Sequence, residues 1–314
     1  MNTMTATAAA AKIKGPIVWL DMDQQELDDA YDQAVYAPNR DQVAKRRLAN
    51  SAQALTRLGK PLRFTYGPTA IEGLDVYRTP ISSSPASGGG KGGGAPVAIF
   101  VHGGAWRNGA ASEFTCLAEP FVHAGAHFVV LDFTNVDEAK GSLFPMVEQV
   151  RRAVGWVYRN AAEKFGGDPN RLHLISHSSG SHLSGCTVTH DWAQDGLPLD
   201  ILKGATLSSG MYDLKPVRLS KRSKYVAFTD EMEQKLSAMR HLDKLHTPLI
   251  LTYGTYETPE FQRQSREFAA AVKAAGKPVE LLVGEGYNHF EMLETLTSPY
   301  GLLGRAVLTQ MKLM

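Results

Sequence analysis

From residue 96 onward, short apolar runs alternate with longer stretches in which apolar residues recur every three or four positions. The apolar runs predict strands at residues 96–101, 127–133, 171–176, 204–209, 248–253 and 278–283. Helical patterns separate most of them, at residues 112–124, 146–164, 179–190, 259–275 and 291–297. Because strands that are apolar on both sides need cover on both faces, this alternation predicts an α/β protein. We expect a mostly parallel central sheet with helices on both faces.

The first 80 residues carry a different pattern. Residues 15–60 are helical in periodicity, with Asp23 as a candidate N-cap and a second helix expected after Pro38. Residues 61–80 alternate between apolar and polar positions and are interrupted by a Gly-Pro pair. That arrangement predicts an antiparallel hairpin ahead of the parallel sheet.

Two segments lack a periodic pattern. Residues 1–14 are small and rich in alanine but have no long apolar run, so we expect a disordered N-terminus and not a signal peptide. Residues 82–94, SSSPASGGGKGGG, lack the frame of a phosphate-binding loop and precede a strand, which favours a flexible Gly/Ser surface loop. We expect residues 15–314 to form a single domain.

Composition and charge narrow the classes of partner. Lys and Arg number 33 against 32 for Asp and Glu, so electrostatics give no case for nucleic acid or an anionic membrane. No apolar run approaches the length of a membrane-spanning helix. The two cysteines, Cys116 and Cys186, form neither a disulfide framework nor a zinc cluster, which favours a reducing, cytoplasmic location. We expect a small-molecule substrate, and the sequence is compatible with a homodimer.

A serine-rich turn, SHSSG at residues 176–180, directly follows one predicted strand and precedes a helix. This is the context of the G-x-S-x-G nucleophile elbow, with Ser176 at the first glycine position. The middle residue of such a turn is strained and stands at the top of the sheet, so small neighbours are needed where strand and helix crowd together. We therefore predict Ser178 as a nucleophile and the backbone N–H of Ser179 as an oxyanion donor.

A glycine pair in the segment HGGAW, residues 102–106, follows the strand at 96–101. Acyl transfer needs preorganised N–H groups around the oxyanion, and the loss of one such donor costs about 3 kcal/mol. Consecutive glycines allow the main chain to approach a substrate closely, and the loop lies where serine hydrolases build this site. We predict Gly103 and Gly104 as donors. For Trp106, lining an acyl pocket and packing beneath the loop are equally consistent with the sequence.

Among the ten histidines, His289 has the position expected of a catalytic base. It follows the last predicted strand after a Gly-containing loop and completes the chain order Ser…acid…His. The imidazole also needs a carboxylate that fixes its tautomer. Glu257 and Glu260 both follow the strand at 248–253. We prefer Glu257, because Glu260 comes after a proline at a helix start, where a carboxylate has a structural use.

These segments resemble a known family. HGGAW resembles the HGGxW signature of kynurenine formamidases (arylformamidases), relatives of the hormone-sensitive-lipase-like esterases. The elbow SHSSGSHL resembles that family's GHSAGAHL, and SSGMYDLKPV is similar to its SGxYDLxPv. Two departures are Ser176, in place of the first elbow glycine, and Glu257, where many relatives have Asp. The resemblance implies the α/β-hydrolase fold, with a small cap formed by residues of about 215–240 and the N-terminal helices.

The sequence therefore predicts a metal-independent serine hydrolase without a cofactor. It would cleave a formyl or short-chain acyl amide or ester of an aromatic substrate, such as N-formylkynurenine, through an acyl-enzyme. Trp106, Tyr225 and Phe228 are predicted to contact that substrate. A short-chain carboxylesterase is the main alternative, and a non-catalytic binding scaffold is less favoured because every catalytic part is present. A metal-dependent amidohydrolase would need clustered ligands such as H-x-x-E-H, which the sequence lacks.

Overall fold

An eight-stranded, mostly parallel sheet runs through the computed structural model, which describes residues 14–80 and 93–314. The strands are β1 (Ile17–Trp19), β2 (Met22–Asp23), β3 (Leu62–Thr65), β4 (Gly73–Tyr77), β5 (Ala95–Val101), β6 (His127–Leu131), β7 (Gly167–His177), β8 (Leu202–Ser208), β9 (Leu249–Gly254) and β10 (Val279–Gly284). The order in the large sheet is β10-β9-β8-β7-β5-β6-β4-β3. Strands β3 and β4 form the predicted antiparallel hairpin, and β4 is also antiparallel to β6, whereas β5 to β10 pair in parallel.

Helices cover both faces of this sheet. They are α1 (Gln24–Ala30), α2 (Gln33–Tyr36), α3 (Arg40–Leu58), α4 (Ala118–His123), α5 (Phe144–Phe165), α6 (Ser179–Val188), α7 (Leu214–Leu219), α8 (Asp230–Lys235), α9 (Pro259–Ala274), α10 (His289–Glu294) and α11 (Leu302–Gln310). Short 3-10 helices lie at Ala111–Leu117, Trp192–Asp195, Lys221–Lys224, Ala238–Arg240, Leu242–Lys244 and Thr295–Thr297. None of the helices in the described ranges combines the length and the apolar content needed to cross a bilayer.

Strand β5 shows why both faces of the sheet need a layer of helices. All seven of its residues are buried, and they alternate between two apolar clusters. Ile99 packs in the cluster that contains residues of α5 and α9, whereas Phe100 packs in the cluster that contains residues of α4 and α11. Successive side chains of a strand point to opposite faces, so a continuous apolar run places half of its residues in each cluster.

Several sequence-based boundaries differ from the structure. Residues 17–23, expected to be helical, form the two-stranded antiparallel sheet of β1 and β2, which is too short to produce an alternating pattern. The helix expected at 112–124 begins as a 3-10 helix at Ala111. The helix expected at 291–297 begins at His289, because Asn288 caps it by accepting from the N–H groups of Phe290 and Glu291. The sequence patterns did not predict helix α11.

Two further expectations concern flexible segments and the cap. The predicted disordered N-terminus, residues 1–14, and the predicted Gly/Ser loop, residues 82–94, lie almost entirely outside the described residues. In the region of about 215–240, where a small cap was predicted, the chain forms short helices. This region contacts the N-terminal helices, since Lys221 forms an ion pair with Asp32 and Gln24 donates to the Leu219 carbonyl at 2.9 Å.

Candidate active site

The turn between β7 and α6 holds Ser178 in a strained backbone conformation. Its φ of 58° and ψ of −127° place it in a region that residues with a side chain rarely adopt. The Ser178 N–H donates to the Ser208 carbonyl at 2.9 Å, which fixes the turn to the neighbouring strand. A Cβ atom at Gly180 would overlap the carbonyl oxygens of Val101 and His102, so glycine is required where the helix passes the sheet.

Three predicted residues from distant parts of the chain meet at this turn. The Nε2 atom of His289 lies 2.8 Å from Ser178 Oγ, and its Nδ1 atom lies 2.8 Å from Glu257 Oε2. Ser178 follows β7, Glu257 follows β9 and His289 follows β10. Because the carboxyl ends of parallel strands share one edge of the sheet, the three loops converge there. The geometry is that of a nucleophile, a base and an orienting acid.

The structure separates the two candidate acids. Glu257 is 2% exposed, and its carboxylate also accepts from the Ser209 hydroxyl, the Gly254 N–H and the Gln33 side chain. Glu260 does not contact His289. Its carboxylate accepts from the Tyr31 hydroxyl at 2.8 Å and, with both oxygens, from the Nε and Nη2 atoms of Arg263. Geometry therefore places Glu257 in the triad position, and it gives Glu260 a larger structural role than that of a helix-terminus charge.

The HGGAW loop passes directly beside the serine. A Cβ atom at Gly103 would lie 2.8 Å from Ser178 Cβ, and one at Gly104 would overlap the Asn108 carbonyl. Gly104 has a φ of 124°, which only glycine adopts readily. Within the described residues, the backbone N–H groups of Gly103, Gly104 and Ser179 have no protein acceptor. The three predicted donors are thus close to Ser178 and unused, as an oxyanion site requires.

Buried side chains fix the shape of this loop. The Nδ1–H of His102 donates to the Gly103 carbonyl at 2.8 Å, and burial lowers the pKa of His102 and keeps it neutral. Trp106 is 2% exposed and donates from Nε1 to His182 Nδ1 at 3.2 Å. Of the two alternatives for Trp106, the structure favours packing beneath the loop, since the indole does not border the cavity at Ser178.

A cavity of about 380 Å³ opens onto Ser178 and His289. Its other walls come from the N-terminal helices, the HGGAW loop, the region of α10, and residue 222. The side chains along these walls include Tyr31, Asp32, Gln33, Arg40, Arg47, Phe114, Arg222, Phe290 and Leu293. The predicted contacts of Tyr225 and Phe228 with substrate need correction. Tyr225 borders a separate surface groove, and Phe228 packs half-buried against the main core. Arg222, three residues before Tyr225, takes the cavity position instead.

Within residues 14–80 and 93–314, no group of three or more His, Cys, Asp or Glu side chains is arranged to hold a metal ion. His177, the residue before Ser178, is a neutral hydrogen-bond donor. Burial, and then the neighbouring His289, hold the pKa of His177 well below its usual range, and its Nε2–H donates to the His289 carbonyl at 2.8 Å.

Comparisons with known proteins give the family of the chain. The chain is 30% identical to a kynurenine formamidase of Danio rerio over 301 residues, which cover 92% of this chain and 97% of that protein. It is 25% identical to an isoprenylcysteine α-carbonyl methylesterase of Arabidopsis thaliana over 225 residues, covering 63% of this chain and 51% of that one. A family model described as BD-FAE matches residues 85–203.

The chain belongs to the kynurenine formamidase family of α/β-hydrolases. Its fold is also that of a hyperthermophilic esterase from Pyrobaculum calidifontis, with a TM-score of 0.65, 19% identity, and coverage of 91% and 94% of the two chains. The predicted α/β-hydrolase fold and the predicted hydrolase class are therefore confirmed.

Sequence reasoning about this member of the kynurenine formamidase family missed several residues of the site. Ser209 and Gln33 bond the acid Glu257, Tyr31 lines the cavity, and Arg222 places a cation there. Ser209 lies within the segment SSGMYDLKPV, so the family resemblance was a signal that could have found it. The other three belong to elements that carry no catalytic motif, and their approach to the site depends on tertiary packing.

Proposed function

We propose that the protein hydrolyses a formyl or short-chain acyl amide or ester of an aromatic compound through an acyl-enzyme, with N-formylkynurenine or a related N-formyl arylamine as substrate. The observation that carries this proposal is the hydrogen-bonded chain from Ser178 through His289 to Glu257, with 2.8 Å at both imidazole nitrogens. The formamidase relative, aligned over nearly the whole length of both chains, supports the choice of a formyl amide.

In the first step, Ser178 Oγ attacks the substrate carbonyl carbon while His289 Nε2 takes the hydroxyl proton. Glu257 holds the Nδ1–H of the imidazole, which fixes the tautomer and stabilises the imidazolium. The carbonyl oxygen becomes an oxyanion and accepts from the N–H groups of Gly103, Gly104 and Ser179. These donors are already in place, so little reorganisation is needed when the charge develops.

In the second step, the C–N or C–O bond breaks and the leaving group takes the proton from His289. The acyl group stays on Ser178 as an ester. Water then attacks this ester with His289 again as base, and collapse of the second oxyanion releases the acid and restores the serine. Because the triad supplies both the nucleophile and the proton transfers, the sequence of steps needs no metal.

The alternative is a short-chain carboxylesterase, which the methylesterase relative from Arabidopsis thaliana favours. Both reactions use the same serine, base and oxyanion donors, so the site geometry does not separate them. A non-catalytic scaffold is disfavoured, because such a protein has no need of a strained serine with its base and acid in hydrogen-bond contact.

The experiment compares kcat/KM for N-formyl arylamines with kcat/KM for aryl esters whose acyl chains increase from formyl to octanoyl, with and without exhaustive chelation. We expect deformylation that chelation leaves unchanged, and a steep fall beyond about four acyl carbons, since the cavity of about 380 Å³ must hold the aryl group together with the acyl chain. Ser178→Ala serves as the blank. Fast hydrolysis of short esters without deformylation would move the protein to the esterase class.

A cytoplasmic location and a homodimer are further parts of the proposal. The two cysteines are unpaired and buried, as expected in a reducing compartment. Fractionation of cells that express the native chain, and light scattering of the purified protein, would test the two predictions.

A further inference from the structure

Arg222 is a buried cation at the wall of the catalytic cavity. It lies in the 3-10 helix Lys221–Lys224 and borders the same cavity as Ser178 and His289. Only 6% of the residue is exposed. A guanidinium removed from water loses several kcal/mol of hydration unless a charged partner and hydrogen bonds replace the water. The partners of Arg222 therefore indicate whether its role is structural.

The protein itself satisfies this guanidinium incompletely. One nitrogen, Nη1, donates to the Tyr225 hydroxyl at 2.8 Å, while Nε is buried and has no partner among the described residues. The guanidinium carbon lies 5.3 Å from the ring centre of Trp106 and 6.0 Å from that of Phe261. These cation–π contacts use the faces of the guanidinium and provide no acceptor for its remaining N–H groups. No carboxylate in the described parts of the chain forms an ion pair with Arg222.

The other charged groups of the cavity are already paired. Arg47 also has a buried Nε without a hydrogen-bond partner, but unlike Arg222 it forms an ion pair, with Glu113 at 3.0 Å. The exposed Arg40 pairs with Asp41 at 3.3 Å. Asp32 forms its ion pair with Lys221 and accepts from the Ala34 N–H. Among the charged residues that line the cavity in the described ranges, Arg222 is the one without an ion pair. Its charge does act on the nearby Asp32: against the effect of burial, Lys221, the Ala34 N–H and, more weakly, Arg222 lower the pKa of that carboxyl.

We propose that Arg222 binds an anionic group of the substrate, so that the enzyme prefers acylated aromatic compounds that carry a carboxylate over neutral compounds of the same shape. This inference rests on the proposed function and adds to it the residue that selects the substrate. A guanidinium suits this role because its fork of N–H groups matches the two oxygens of a carboxylate. Trp106 and Tyr225 act as positioning residues that hold the fork at the cavity wall.

The test uses a matched pair of N-formyl arylamines that differ only in a side-chain carboxylate or carboxamide, and an equivalent pair of aryl acetates. For the wild type we expect kcat/KM to favour the carboxylate by about tenfold to a hundredfold, mostly through KM. In Arg222→Gln this preference should fall to about one. Arg222→Lys should recover part of it, because an ammonium keeps the charge but not the fork.

Arg218→Gln is the matched control. Arg218 belongs to the same region, but it pairs with the exposed Asp230 and does not border the cavity, so both kcat/KM and the preference should stay unchanged. Should Arg222→Gln fail to fold, the affinities of Ser178→Ala protein for the carboxylate and carboxamide products, measured by calorimetry, decide the question. Tighter binding of the carboxylate supports the proposal, and equal binding overturns it.

The outcomes distinguish this proposal from the proposed function. Hydrolysis of both members of a pair at equal kcat/KM, or an unchanged preference in folded Arg222→Gln, overturns the role of Arg222 and leaves the hydrolase function in place. Absence of hydrolysis for both pairs overturns the proposed function, and the calorimetric comparison then still decides whether Arg222 recognises the anion.

Discussion

The two sides of the catalytic cavity are built in different ways. The sheet side, residues 102–109, 177–180, 254–257 and 289, lies at and just beyond the carboxyl ends of strands. Backbone conformation positions its groups, as the positive φ angles of Ser178 and Gly104 show. The helical side, residues 24–58 and 214–240, is held by contacts between side chains, such as the Tyr31 hydroxyl with Glu260 and the ion pair of Lys221 with Asp32.

This difference assigns different tasks to the two sides. Groups fixed by the backbone need no reordering during the reaction, which suits nucleophilic attack and oxyanion stabilisation. Side chains that meet across separate elements can change with little effect on the backbone, which suits the choice of substrate. Substitutions on the sheet side should therefore lower kcat, whereas substitutions on the helical side should alter KM and the preference between substrates.

The largest effect is expected from Ser178→Ala. Removal of the nucleophile should lower kcat by roughly 10⁴- to 10⁶-fold. Alanine keeps the Cβ atom, so the backbone strain at φ 58° stays and thermal stability should change little. Steady-state kinetics and a thermal melt measure the two quantities. Labelling by a serine-directed phosphonylating reagent should disappear in the variant, and labelling that persists would move the nucleophile to another serine.

The second test compares the two acids. Glu257→Gln should lower kcat by about 10³- to 10⁴-fold, because an amide can hold His289 in the wrong tautomer. Glu260→Gln should leave most turnover intact but destabilise the protein by roughly 1–3 kcal/mol, since it breaks the charged contacts of Glu260 with Arg263. Kinetics and denaturant unfolding on both variants give the ranking. If Glu260→Gln had the larger effect on kcat, the triad acid would be misassigned.

Local rules explain why the sheet side could be predicted from sequence. An apolar strand followed by a turn of small residues and a helix specifies the elbow at Ser178, and a glycine pair after a strand specifies the loop at Gly103. The choice of Glu257 over Glu260 also followed from helix-start chemistry. In each case, the residues that decide the backbone conformation are adjacent in sequence.

The helical side could not be predicted in the same way. Tyr31 and Arg222 are separated by most of the chain and meet only because α1 packs near the region of α7. Tyr225 and Phe228 are aromatic residues in a cap-like segment. Composition alone does not predict which face of such a short segment lines the cavity. A 3-10 helix of four residues has too little periodicity to show that Arg222 faces inward.

The third prediction tests backbone control on the sheet side. Gly104→Ala should lower kcat by about 10²- to 10³-fold, because its Cβ would overlap the Asn108 carbonyl and displace an oxyanion donor. Gly196→Ala is the control for a glycine with positive φ, here 66°, with open space around its Cβ and a position away from the cavity. It should lose about 1 kcal/mol of stability and no activity. Equal kinetics for both variants would contradict backbone control.

The fourth prediction concerns the support of the oxyanion loop at acid pH. Burial lowers the pKa of His182 to about 4, and its neutral Nδ1 accepts from Trp106. Unfolded chains bind this proton near pH 6.5, so between pH 6.5 and 4 the unfolded state holds more protons and stability falls as pH falls. The contribution is roughly 3 kcal/mol over that range. In His182→Gln, the slope of unfolding free energy against pH should be smaller by up to one proton, and an unchanged slope would contradict this account.

The smallest effect is expected at Gln33, a residue of the helical side whose side chain hydrogen-bonds to the triad. Its Nε2 donates to Glu257 Oε2 at 3.3 Å, and its Oε1 accepts from the Thr258 N–H at 3.4 Å. Loss of one weak hydrogen bond to the acid should cost about 1 kcal/mol, so Gln33→Ala should lower kcat about fivefold and leave KM nearly constant. Gln25→Ala, an exposed change on the same side, should alter neither constant. A change in KM alone would keep Gln33 with the substrate-selecting residues, whereas the expected fall in kcat would show that the helical side also tunes the triad.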